Sequence, residues 1–182
     1  MHLTRDALDA ALPYLRESPR DGGPLVMIVR RPEPGEREVL DRGALDTAVG
    51  LVGDNWSRRG SSRTPDNRPH PDMQLNVMNA RVLALLSGAR ERWPLAGDQL
   101  IVDLDLAAAS LPAGSRLAIG SAVVEVTAQP HTGCRKFIER FGLDAGAFVN
   151  SPVGRALNLR GINARVVRSG TIAVGDVIHR QA

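Results

Sequence analysis

The 182 residues suit one domain, or one domain with an N-terminal extension, and 43% hydrophobic with 24% charged residues is the ordinary balance of a chain that buries a core. A formal net charge of +3, with acids interspersed among the 23 basic residues, argues against a nucleic-acid-binding face. No run approaches the ~20 apolar residues of a membrane span, and a lone cysteine excludes an internal disulfide.

The N-terminus has no apolar signal core, so a cytoplasmic, reducing location is expected. Aromatics are only 3%, so the core must come from Val, Leu, Ile and Ala. Every basic residue but Lys136 is arginine.

Thr4 to Leu15 reads as an amphipathic helix capped by Thr4, with Leu8, Leu12 and Leu15 on one face. Pro19 to Pro24 breaks the chain, and Leu25 to Val29 reads as a buried strand. We divide the chain into an N-terminal helix and linker, residues 1–24, and a main domain, residues 25–182. Pro32 to Arg37 is rich in turn formers. Asn55 to Asp72 is the longest polar run and carries Arg58, Arg59, Arg63 and Arg68. It suits either a plain surface loop or a lid that binds an anion.

Gln74 to Val77 reads as a strand, after which Asn79 caps a helix running to Leu86 and ending at Gly88. Ile101 to Leu104 follows as a strand. Arg116 to Ile119 and Ala122 to Thr127 flank Gly120-Ser121, a two-residue hairpin turn. Ile162 to Val167 and Val174 to Ile178 are the last strands expected, joined around Ser169-Gly170. Short strands with glycine turns and few helices indicate a mainly β fold, a barrel or sandwich. Three Gly-Asp pairs recur, at Asp54, Asp98 and Asp176. Each suits a turn held by the aspartate side chain, and Asp54 and Asp98 lie beside polar segments that suit a pocket.

The chemistry concentrates at Cys134. A strand ends near Ala128, Pro130 and Gly133 make a turn, and Phe137, Ile138 and Phe141 share a helical face. Cys134 therefore stands at the start of a helix, near Arg135, Lys136 and His131, a setting that favours thiolate over thiol. A thiolate attacks electrophiles, carries persulfide sulfur or binds a soft metal. A buried structural cysteine is the alternative. Ser151-Pro152 starts a further short helix, and Arg160 before Gly161 offers an anion-binding fork. No CxxC, HExxH or phosphate-loop pattern is present, and nothing forms a cradle for pyridoxal phosphate, which is not expected.

Several segments in order resemble the MOSC domain, named after the C-terminal part of molybdenum-cofactor sulfurases. They are Gly50-Leu51-Val52-Gly53-Asp54, Gln74 to Met78, Leu95 to Leu100, Ala113 to Thr127, Cys134 at the signature cysteine, and Arg160-Gly161 through Gly175-Asp176. The resemblance covers roughly residues 45 to 180. It implies a β-barrel that associates with molybdenum or the molybdenum cofactor, with Cys134 as metal ligand or sulfur carrier. In some members of the family it also implies reduction of N-hydroxylated compounds. The sequence departs from the pattern at Gly133, where a proline is frequent, and at Gln99, where an asparagine is.

On this reading Cys134 and His131 are the candidate catalytic residues and Cys134 the metal ligand. Arg68, Asn76, Asn79, Asp98, Thr132, Gly133 and Arg160 are candidates for holding the cofactor. A small-molecule substrate or cofactor and an electron-supplying partner protein are expected. A non-catalytic carrier and a pure interaction domain are the competing readings.

Overall fold

The computed structural model describes residues 2–181. Seven strands close into a barrel: β1 (Gly23–Arg30), β5 (Leu75–Asn79), β6 (Leu100–Val102), β7 (Arg116–Ile119), β8 (Ala122–Val126), β9 (Ile162–Arg168) and β11 (Val177–Gln181). The order around the barrel is β1-β6-β5-β9-β8-β7-β11, and β11 returns to β1 through Gly23 opposite Ile178. All neighbours are antiparallel except β5 and β6, which are joined through helix α3 (Ala80–Ser87) and a 3-10 segment. A parallel pair requires such a crossover.

The apolar pattern explains the layering. Leu25, Ile28, Leu75, Val77, Leu100 and Val102 point into the barrel with Leu117, Val124, Ile162 and Ile178. Met27, Val29, Met78 and Ile101 point outward, onto a second core with Leu8, Leu83, Trp93, Phe137 and Phe148. Three adjacent strands are thus buried on both faces, so they read as continuous apolar runs rather than alternating ones. An irregularity between Leu25 and Met27 shifts the β1 register and lets Leu25 and Ile28 both face inward.

The outer core is covered by α1 (Arg5–Ala10), α2 (Leu12–Arg16), α3, α4 (Arg135–Phe141), α5 (Leu143–Asn150) and α6 (Pro152–Ala156). No helix among the described residues is long and apolar enough to cross a membrane.

The elements depart from the sequence reading in three places. The first helix is broken in two, because Pro13 has no N–H and its ring crowds the preceding turn. The last expected strand, Val174 to Ile178, is instead β11 preceded by a separate strand β10 (Gly170–Ala173), with Gly175-Asp176 as the turn. Asp176 Oδ2 accepts from the Ala173 N–H at 2.8 Å and holds that turn. Strand β10 leaves the barrel and pairs with β3 (Arg42–Asp46), which pairs in turn with β4 (Gly50–Leu51). β3, β4 and the edge strand β2 (Glu38–Leu40) escape a sequence reading because they are short and carry little apolar periodicity.

Asn79 does more than cap α3. Its Oδ1 accepts from the N–H groups of Arg81 (2.7 Å) and Val82 (3.4 Å), and its Nδ2 donates to Ser18 Oγ and the Leu104 carbonyl at 2.8 Å each. Asn79→Ala is expected to lower unfolding stability by about 1–3 kcal/mol, read by urea denaturation, because it removes a cap and orphans buried partners.

Candidate functional site

A cleft of about 410 Å³ opens beside α4, lined by segments from distant parts of the chain. Arg31 follows β1, Gly97 precedes β6, Pro130 to Lys136 follow β8, and Arg160 precedes β9. Cys134 is exposed and stands at the N-cap of α4 with no capping bond from its sulfur. The turn before it is clamped by Asn150, whose Oδ1 accepts from the Gly133 N–H at 2.9 Å and whose Nδ2 donates to the Gly133 carbonyl at 3.0 Å. Proline cannot donate that first bond, which gives the physical reason for Gly133 here. A Cβ at Gly133 would also come within 3.0 Å of both Asn150 and Val149.

The cleft rests on two buried ion pairs. The Arg31 guanidinium donates to both Asp54 oxygens at 2.9 Å, and the Arg31 N–H donates to Oδ2 at 3.0 Å. Its Nη1 donates to the Gly97 carbonyl at 2.8 Å and to Asn76 Oδ1 at 3.4 Å. Arg160 Nη1 donates to both Asp98 oxygens, at 2.9 and 2.8 Å, while Nη2 donates to the Ala96 carbonyl and the guanidinium lies over the Phe137 ring. Burial raises the Asp98 carboxyl above its ordinary value, against the pull of Arg160 and then Arg31.

His131 Nδ1 lies 3.5 Å from Asp98 Oδ1 and makes no hydrogen bond. Burial, then the charges of Arg160, Arg31 and Arg63, hold this imidazole well below its ordinary 6.5, so it is neutral at neutral pH. Gly161 makes room for it: at φ +97°, a Cβ there would meet the Val77 carbonyl oxygen at 2.3 Å and His131 Nδ1 at 3.3 Å.

Seven cations line the cleft: Arg31, Arg37, Arg59, Arg63, Lys136, Arg140 and Arg160. Arg31 and Arg160 are neutralised by Asp54 and Asp98; among the described residues the other five have no carboxylate within 4.0 Å. Glu33, the one carboxylate in the lining, is engaged by Arg58 at 3.1 Å. The wall is therefore electropositive and suited to an anionic ligand. Burial, then the nearby Arg31, lowers the Arg59 guanidinium from its ordinary value; for Arg37, burial is followed by Arg140 and Arg31. Asn55 in the same wall is 8% exposed and, among the described residues, its Oδ1 is buried without a hydrogen-bond donor. An unpartnered buried amide costs about 1–3 kcal/mol.

Of the residues singled out from sequence, Cys134, His131, Thr132, Asn76 and Arg160 line this cleft, with Asp98 fully buried beneath it and Gly133 in its turn. The Gly133 N–H is already spent on Asn150. Asn76 is committed to a network, its Nδ2 donating to Asn163 Oδ1 at 2.6 Å. Two candidates do not join the site. Arg68 has an 82% exposed side chain beside Asp66 on the surface loop. Asn79 faces a different groove, with Arg16 and Asp105, and its polar atoms are already bonded as described above. Sequence reading missed Arg31, Arg37, Asn55 and Arg59 as site residues, since in an arginine-rich chain no single arginine stands out. The signal available was the Gly53-Asp54 pair, a buried carboxylate that requires a cation. A larger groove, of about 550 Å³ between β10 and the β7–β8 turn, contains neither cysteine nor histidine.

Two outcomes follow. Asp54→Ala strands Arg31 without its counter-ion and is expected to cost about 3–5 kcal/mol of unfolding stability by urea denaturation. The depressed His131 means that the unfolded chain takes up a proton the folded chain resists. That stability contribution is complete above pH 6.5 and declines as pH falls below it, by up to about 1.4 kcal/mol per pH unit. His131→Gln is expected to flatten the decline in urea unfolding measured from about pH 7.5 to 5; an unchanged slope would remove His131 as its source.

No curated protein matches the chain. The fold is similar to the YuaD protein from Bacillus subtilis, at TM-score 0.60 and 20% identity over 87% of this chain and 94% of that one. It is also similar to YiiM from Geobacillus stearothermophilus, at 0.56 and 14% over 88% and 75%, and to YiiM from Escherichia coli, at 0.52 and 18% over 87% and 70%. The profile of the MOSC domain matches residues 70–179, a span holding Cys134, His131, Asp98 and Arg160, and the chain belongs to that family.

Proposed function

We propose that the protein binds the molybdenum cofactor in the Cys134 cleft, with the Cys134 thiolate as the protein's ligand to the metal. The observation that carries this reading is one exposed thiol opening into a cleft with five cations that lack carboxylate partners. Thiolate sulfur suits a soft metal centre, and guanidinium and ammonium groups suit a phosphate tail. Among the described residues no three His, Cys, Asp or Glu side chains gather to hold a bare ion.

When bound, the cofactor supplies redox chemistry at its metal. The chain's residues have separate tasks. Asn150 holds the turn that presents Cys134, while Lys136 and Arg140 offer charge to the phosphate. The Asp98–Arg160 pair fixes the floor, with neutral His131 beside it. On this reading the protein is a component in the reduction of N-hydroxylated compounds, with electrons delivered by a partner protein. The exposed, uncapped sulfur of Cys134 equally favours a second reading, a persulfide carrier without turnover of its own.

The test is molybdenum per chain, measured after purification from a host with ample molybdenum cofactor, for wild type and a folded Cys134→Ser variant. Metal in the wild type and its loss in the variant are expected. Equal metal in both would remove the ligand role. No metal in either, with an added sulfur atom on Cys134 by mass spectrometry, would replace the first reading by the second.

A further inference from the structure

Two buried asparagines stand opposite each other on neighbouring strands, Asn76 on β5 and Asn163 on β9. Their neighbours Leu75, Val77, Ile162 and Ala164 point into the barrel, so by strand alternation both amides point out of it. Asn76 Nδ2 donates to Asn163 Oδ1 at 2.6 Å, and Asn163 Nδ2 donates to the Gln129 carbonyl at 3.0 Å. Upstream, Arg31 Nη1 donates to Asn76 Oδ1 at 3.4 Å. The directions are fixed from both ends, because a guanidinium only donates and a carbonyl only accepts. Replacing both partners of such a buried bond by apolar groups is nearly neutral for folding. What the amide pair adds is therefore direction.

This chain of amides ends on the loop that carries Cys134. The Gln129–Pro130 peptide has no N–H, so its carbonyl is the only backbone group there that can be tethered, and Asn163 holds it. The Asn163 carbonyl also accepts from the Thr127 N–H at 3.0 Å. At the far end of the loop Asn150 holds both backbone groups of Gly133. Between these two brackets, among the described residues, neither His131 nor Thr132 bonds to another backbone group. The path from Gln129 to the start of α4 is thus set by its two ends.

We propose that Asn163 is a positioning residue for Cys134: by holding the Gln129 carbonyl it directs the loop into α4 and keeps the sulfur turned toward the cations of the cleft. The arginine that pairs with Asp54 sets the orientation of Asn76, and through it that of Asn163. Releasing the bracket frees the loop at its Gln129 end, and the sulfur then faces solvent for part of the time instead of the electropositive wall. The assignment deepens the reading of Cys134 as the working residue of this cleft and rests on it. It does not depend on which metal or ligand the sulfur meets.

The experiment compares two alkylating reagents, anionic iodoacetate and neutral iodoacetamide, on the purified full-length, molybdenum-free chain at low ionic strength. Cys134 is the only thiol and is exposed, so the ratio of the two rate constants cancels its intrinsic reactivity and reads the field it faces. The wild-type ratio is expected to exceed that of the urea-unfolded chain, and Asn163→Ala to lower it by about threefold or more. Asn76→Ala cuts the chain of amides one link earlier and is expected to lower the ratio in the same direction, which keeps the test decisive should Asn163→Ala not fold. Asn79→Ala removes another buried asparagine, outside the cleft, and is expected to keep the wild-type ratio, which separates positioning from loss of stability. A wild-type ratio no higher than that of the unfolded chain overturns the proposal. So does a wild-type ratio retained in folded Asn163→Ala or, failing that variant, in Asn76→Ala, and so does an equal fall in Asn79→Ala. Since no metal takes part, a chain that never binds molybdenum overturns the cofactor reading and leaves this assignment standing.

Discussion

The pairing of Arg31 with Asp54 beneath the cleft is the interaction on which the site depends. Arg31 reaches Asp54, the Gly97 carbonyl and Asn76, and so joins the segments after β1, before β6 and on β5. Gln99 extends the network, accepting from the Asn76 N–H at 2.8 Å. A buried ion pair of this kind adds little net stability over an apolar substitute, yet is expensive to break from one side. Its value here is geometric: it sets where Asn55 and Gly97 stand in the cleft wall.

The Asp98–Arg160 pair does the same on the other side, and it also creates the environment of His131. A histidine placed against a carboxylate would ordinarily be charged. Here burial and three arginines outweigh the single carboxylate, itself shared with Arg160, and the imidazole stays neutral. The same clustering leaves five cations without carboxylate partners, so the cleft stores an unbalanced positive potential that an anionic ligand relieves.

Much of the barrel was legible in advance. The Gly120-Ser121 hairpin, the Asn79-capped helix, the Ser151-Pro152 start and the placement of Cys134 ahead of a helix all follow from local rules, because each depends on residues within a turn of one another. Arg68 and Asn79 show the opposite. Arg68 lies in the same polar run as Arg59 and Arg63, and nothing local distinguishes the arginine that faces solvent from those that face the cleft. Asn79 has both its amide donors consumed by Ser18 and Leu104, partners from segments that only the fold brings near.

By itself the sequence determined the class of fold, the place of Cys134 ahead of a helix and the turn that presents it, since these reside in apolar periodicity and in the short-range chemistry of Gly, Pro, Ser and Asn. The tertiary structure alone decided which arginines are neutralised and which stay free. Ion pairing is set by separations of a few ångströms between segments that closure of the barrel brings together, as when Arg31 meets Asp54 and Arg160 meets Asp98. Those distances depend on every strand register between the two partners, and no local pattern encodes them.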